Sequence, residues 1–126
     1  LEVPAVSAAD LILPAPREGS REVAARVAAA RDIQRRRYDA MGLPGVASNA
    51  AAPGHVIEDA ARLDGPAQAL VREAAERMGL SARGFHRVLK LARTIADLDG
   101  AGAVERAHLA EALAYRAETG RRSRVA

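Results

Sequence analysis

The stretch from Ser81 to Leu98, SARGFHRVLKLARTIADL, constrains this chain more than any other. Gly79 stands just before it and Gly100 just after, and Ser81 is a helix-capping residue type, so the spacing predicts one helix closed at both ends. Placing residue 83 at zero on a helical wheel and advancing about 100° per residue sets Arg83, Arg87, Lys90, Thr94 and Asp97 within about 40° of one line. Phe85, Val88, Ala92, Ile95 and Ala96 fall on the opposite side, with Leu89, Leu91 and Leu98 flanking. A helix that is apolar round most of its girth has to be packed on two sides. It therefore sits at the centre of a bundle, with one narrow polar strip left uncovered. That strip is basic at its N-terminal end and turns acidic at Asp97.

Aromatic residues are almost absent: Tyr38, Phe85 and Tyr115 are the only three in 126 residues. The core has to be built from Ala, Leu, Val and Ile, which suits close-packed helices better than a sheet. The expected fold class is mainly α, a small bundle of four to five helices with an extended N-terminal segment. A composition of 49% hydrophobic and 28% charged residues fits one compact domain with a real core. The absence of cysteine excludes a disulfide framework and thiolate metal sites, and no uncharged run is long enough to span a bilayer. A cytoplasmic protein without a membrane partner is expected. The opening LEVPAVSAADLILPAP lacks a basic start and carries Glu2 and Asp10, so it does not read as a signal peptide; starting without methionine, it reads as the edge of something longer.

Along the chain, residues 1 to 19 read as an extended segment and linker, with 1 to 6 as the end of a strand and Pro14, Pro16 and Gly19 as punctuation. Residues 20 to 117 form the helical domain. Ser20 is the expected cap of a first helix in which Val23, Val27, Ala30 and Gln34 recur at helical spacing as far as Tyr38. Its far end carries Arg31, Arg35, Arg36 and Arg37, which the helix dipole favours and which reads as a solvated end. An irregular connection from Met41 leads to a short helix from Gly54 to Arg62. Asp64 caps the next helix, Pro66 lies in its first turn, and Gly79 ends it. After Gly100 and Gly102 a last helix runs from Glu105 to Arg116, burying Leu109, Ala112 and Leu113. Residues 118 to 126 read as a disordered basic tail.

Little catalytic chemistry is available. No G-x-x-x-x-G-K-[ST] pattern exists, and the single lysine, Lys90, lies inside a helix. His55, His86 and His108 show no i,i+4 pair, so no metal site is expected. No nucleophile with a base and an orienting acid is visible, and the chain is not expected to be catalytic alone. What remains is the start of the helix at Ser81, where unpaired backbone N–H groups and the positive dipole end favour an anion. Arg83 adds a guanidinium able to bind phosphate oxygens in bidentate fashion. An internal ion pair with Glu73 or Glu76 would account for Arg83 equally well.

The words LSARGFHRVLKLARTIADLDG and HLAEALAYR resemble the C-terminal domain of magnesium chelatase-related AAA+ ATPases, in the competence-protein branch. In order before them, LEVP resembles the strand that follows the ATPase core, RVAAARDIQRRRY resembles the family's R-V-x-x-A-R-x-x-Q-x-x-R helix, and SNA resembles a short segment after it. SNAAAPGHVIEDAARL departs from the family's usual Asn-Ala-Leu-like run and short helix. The resemblance implies a helical lid following a P-loop core, with Arg83 as the sensor-2 arginine that reaches the γ-phosphate of ATP on that core. Arg87 would assist, and Ser81 would stand on the phosphate side. ATP with Mg²⁺ would belong to the longer protein, with none held tightly by this chain. The implied partners are the upstream core, neighbouring subunits of a hexamer-like ring and, for the competence branch, DNA; the chain by itself is expected to be monomeric. For Arg26, Arg31, Gln34 and Arg37 the family pattern implies importance without naming a partner, and a neighbouring subunit is the expectation. A rival reading of the residues is an autonomous DNA-binding helical domain that uses Arg35, Arg36, Arg37 and the RRSR tail, or a bare interaction bundle.

Overall fold

The computed structural model describes residues 19–125, with side chains as far as 116. The strand end expected at 1 to 6 and most of the expected linker lie outside the described residues. Five helices follow in order: α1 (Ser20–Ala40), α2 (Gly54–Ala60), α3 (Gly65–Met78), α4 (Ala82–Leu98) and α5 (Arg106–Val125), with a 3₁₀ turn at Asn49–Ala51 between α1 and α2. The mainly α reading holds.

Local chemistry sets most helix ends. Asp64 accepts a hydrogen bond from the Ala67 N–H at 2.8 Å, and Pro66 occupies the first turn of α3, where its missing N–H costs nothing. Gly79 closes α3 with φ of 60°, a left-handed conformation that glycine reaches without steric penalty. Ser81 caps α4 by accepting from the Gly84 N–H at 3.0 Å. At α1 the cap is Gly19 instead of Ser20, because the Glu22 carboxylate reaches back to the Gly19 N–H and leaves Ser20 as the first helical residue. Helix α2 stops at Ala60, short of the expected Arg62, which turns left-handed at φ of 50°. Arg62 is held there by a two-residue bridge: Val104 N–H donates to the Arg62 carbonyl and Asp64 N–H to the Val104 carbonyl, each at 3.0 Å. At the other end of the chain α5 runs on to Val125, past the expected Arg116. The apolar periodicity ends at Leu113, yet no proline follows, so the backbone can remain helical where side-chain patterning no longer marks it.

Helix α4 is the central element, as its girth predicts. Val88, Ala92 and Ala96 join Ala67 and Val71 of α3 and Leu109 and Ala112 of α5 in one buried cluster. Leu89 turns the other way and packs with Tyr38 of α1 and Val56, Ile57 and Ala60 of α2. Alanines carry much of both clusters, so the helices approach closely and each methylene matters.

Helix α1 is unevenly held. Its buried residues are Ala30, Gln34 and Tyr38, all in the second half, while nearly all of 20–29 is exposed.

Candidate functional site

The polar strip of α4 is not uniformly open. Arg83 and Arg87 are exposed, Lys90 and Thr94 are half-buried, and Asp97 is buried. The expectation of an uncovered strip is therefore corrected over its C-terminal half, where α1 and the Asn49 turn close over it.

That closure is built from charge. Asp97 accepts from Arg37 Nη1 at 2.9 Å and Nη2 at 2.5 Å, from Asn49 Nδ2 at 3.0 Å and from Arg93 Nε at 3.1 Å. Asn49 is completely buried; its Oδ1 accepts from the Tyr38 hydroxyl at 2.7 Å, and its backbone N–H donates to Gln34 Oε1 at 2.9 Å. Arg93, also completely buried, spends its remaining donors on the carbonyls of Ala101 at 2.7 Å, Gly102 at 3.1 Å and Ala61 at 3.3 Å. It therefore ties the end of α2 to the loop before α5 and is no part of an exposed basic cluster. Burial pushes the Asp97 carboxyl upward, but hydrogen bonds from Arg37 and Asn49 and the charges of Arg93 and Arg37 outweigh it and hold it below the usual carboxylate value. Burial likewise lowers Arg93, only partly offset by Asp97. For Arg37 burial acts downward too, but the hydrogen bond and charge of Asp97 win and raise it.

Gln34 and Arg37 have partners within the chain, Asn49 and Asp97. Arg35, Arg36 and Arg37 do not present one basic face: Arg37 turns inward, and Arg36 pairs with Asp32 at 2.5 Å on the surface. Arg31 is exposed, and Arg26 lies on a second groove between α1, α4 and α5.

The N-terminal half of the strip opens into a groove of about 760 Å³ whose lining includes Arg83, His86, Arg87, Lys90, Ala50 and Gly54, with no carboxylate. Arg83 makes no ion pair with a described residue. Glu73, one candidate partner, pairs instead with Arg77 at 3.1 Å. Lys90 donates to the Ala50 carbonyl at 3.1 Å, which keeps its ammonium at the groove wall with two donors to spare. His86 is fixed by Glu58, Nε2 to Oε1 at 2.8 Å, and lies so close over Gly54 that an added Cβ would come within 2.5 Å of its ring. Ser81 does not line the groove; its oxygen serves the cap. The sequence reading missed Lys90 as a groove residue, and also Arg116, whose guanidinium lies over Gly84 and brings a further cation to the start of α4 from α5. Among the described residues no group of acidic or histidine side chains could hold a metal ion, and no helix is long and apolar enough to cross a membrane.

Residues 17–116, which carry the whole of α1 through α4 and this groove, match the family described as magnesium chelatase, subunit ChlI C-terminal. The chain belongs to this family. It is 38% identical over 100 residues to the competence protein ComM of Haemophilus influenzae, covering 79% of this chain and 18% of that protein. It is also 36% identical over 102 residues to the uncharacterized protein YifB of Escherichia coli K12, covering 81% of this chain and 19% of the relative. The chain thus spans about a fifth of the length of these relatives and corresponds to a C-terminal domain of the ComM and YifB type. No solved structure matches it significantly.

Proposed function

We propose that this domain is the helical lid of an AAA+ ATPase and that Arg83 reaches the γ-phosphate of ATP bound on a P-loop core upstream in the longer protein. One observation carries the reading. Arg83 stands exposed at the start of the central helix, in a groove lined by Arg87, Lys90 and His86 and by no acid, without an ion pair to any described residue. Uncompensated cations side by side repel one another, and a polyanion relieves that repulsion. The donor set therefore fits a phosphate chain. Bound ATP supplies the transferable phosphoryl group; the role of this chain is to bring a planar, permanently charged donor to it. Arg87, one turn along the strip, adds a second guanidinium. Ser81 contributes by fixing the first turn of α4, so that Arg83 is presented from a rigid element.

Asp97 gives the reading a mechanical side. The strip that begins at the groove ends in a network bonded to α1, so movement of α4 on engaging phosphate would carry α1 with it. Ring neighbours, and DNA in uptake or recombination as the resemblance to the competence branch implies, belong to this proposal.

The test is ATP turnover by the longer protein with and without Arg83→Ala. A fall of about 100-fold or more in kcat with an unchanged melting temperature is expected, by analogy with the loss of a single transition-state donor. Turnover within about two-fold of the parent would remove Arg83 from the phosphate.

A further inference from the structure

The cations at the start of α4 do not all come from α4. Gly84 is buried in its first turn, where a glycine is less favourable to the helix than an alanine. The missing methyl makes room for a guanidinium. A Cβ on residue 84 would stand 3.0 Å from Arg116 Nη2, 3.2 Å from its Cζ and 3.3 Å from the Ser81 oxygen. Arg116 of α5 therefore lies against the backbone of the first turn of α4. Arg83 is the preceding residue of that backbone, so the Arg116 guanidinium is within about 8 Å of the Arg83 Cα. An arginine side chain is long enough to cover most of that span.

No described residue claims this group. Arg116 is half-buried, yet it makes no hydrogen bond or ion pair with a described residue. Arg37 and Arg93 differ: both meet Asp97, and Arg93 also meets three backbone carbonyls. Where the fold uses a covered arginine for its own cohesion, it supplies the acceptors. Around Arg116 it supplies more cation instead. A groove of about 270 Å³ between α4 and α5 is lined by Arg87, Val88, Leu91, Ala112, Tyr115 and Arg116, without a carboxylate. Arg87 and Leu91 line the Arg83 groove as well, so the two grooves adjoin. Arg83, Arg87 and Arg116 thus form an arc of guanidinia over the first two turns of α4, carried by two helices and with no acid in either lining. Like charges held side by side raise one another's energy, and a multiply charged anion among them removes that cost.

We propose that Arg116 is a second guanidinium on the terminal phosphate of the ATP that Arg83 reaches, an inference that rests on that role for Arg83. A phosphoryl group offers three oxygens, enough for two forked donors. The phosphate is then held between α4 and α5, and Gly84 keeps the space through which α5 takes part.

Nucleotide affinity of the longer protein tests this. Arg116→Ala should weaken MgATP about tenfold and leave MgADP within about two-fold, as should Arg83→Ala, because a donor on the terminal phosphate is felt only by the triphosphate. Arg116→Gln, which keeps most of the stem, should behave alike, and Arg116→Lys should recover part of the loss. In the 126-residue chain the Gln variant should leave Tm within about 2 °C. MgATP affinity lost with Arg83→Ala but kept with Arg116→Ala and Arg116→Gln would overturn the role of Arg116 and leave Arg83 at the phosphate. Affinity kept in all three would remove both. Equal weakening of MgATP and MgADP by Arg116→Gln, or a loss seen with Arg116 variants and not with Arg83→Ala, would also refute a shared terminal phosphate.

Discussion

Replacing Asp97 by Asn tests the junction of α1 with the bundle at its most heavily used atom pair. The carboxylate accepts four hydrogen bonds, two from Arg37, one from Asn49 and one from Arg93. An asparagine offers one acceptor oxygen and one NH₂ group. Whichever way it is flipped, donor faces donor on one side, and the guanidinia of Arg37 and Arg93 keep their charge. The side chains involved are 15% exposed for Arg37, 1% for Arg93 and fully covered for Asp97, so solvent screens little of this loss. Breaking a buried pair by neutralising one partner costs about 3–5 kcal/mol, because the other charge is left uncompensated. Here two cations share one anion, which favours the upper half of that range. A domain of this size has roughly 5–15 kcal/mol in total, and at about 4 °C per kcal/mol the expected fall in Tm is about 16 °C or more. Urea unfolding with an unchanged m-value should report the loss directly. A loss below about 1 kcal/mol, with amides of 34–38 still protected, would refute the view that charge pairing holds α1 in place.

Two further outcomes follow from the same geometry. The folded-state value of Asp97 lies below its ordinary value of 3.8, so its contribution to stability is fully present above that pH and is lost as pH falls through the folded value; acid titration of unfolding free energy should show this limb below about pH 4 in the parent and not in Asp97→Asn. Gly54→Ala places a Cβ about 2.5 Å from the His86 ring. The ring can swing away, so stability should fall by about 1 kcal/mol or less, while ring-proton NMR reports loss of the Glu58 contact; an unchanged His86 spectrum would contradict the close approach.

Much of the scaffold was legible because its signals are local. Asp64, Pro66, Gly79 and Ser81 act within four residues of themselves, and the girth of α4 alone requires packing on two sides. What packs where on the polar strip was not legible. A helical wheel gives azimuth but not what covers each turn, and Arg83 and Asp97 share an azimuth while standing at opposite ends of the helix. Arg37 and Arg93 were harder still, since a charged side chain is by default a solvent-facing one and its buried partner is remote in sequence. The pair Arg37 and Asp97 is separated by 60 positions and Asn49 and Asp97 by 48, distances that no short-range pattern spans. The R-V-x-x-A-R-x-x-Q-x-x-R pattern did mark Gln34 and Arg37 as important, yet carried no information on whether their partners were internal.

One strip with two fates has a consequence for separating fold from function. Toward its C-terminus each cation meets a carboxylate or carbonyl inside the chain, so substitutions there are read as stability. Toward its N-terminus Arg83 and Arg87 meet no carboxylate of the groove lining, and exposed side chains without such partners usually change stability by less than about 0.5 kcal/mol when removed. Lys90 marks the boundary, bonded to the Ala50 carbonyl on one side and lining the groove on the other. Arg83→Ala should therefore leave the melting curve of this chain unmoved while Asp97→Asn lowers it. Were Arg83→Ala to lower it comparably, the guanidinium would have an internal partner and the groove would lose its claim to an outside anion.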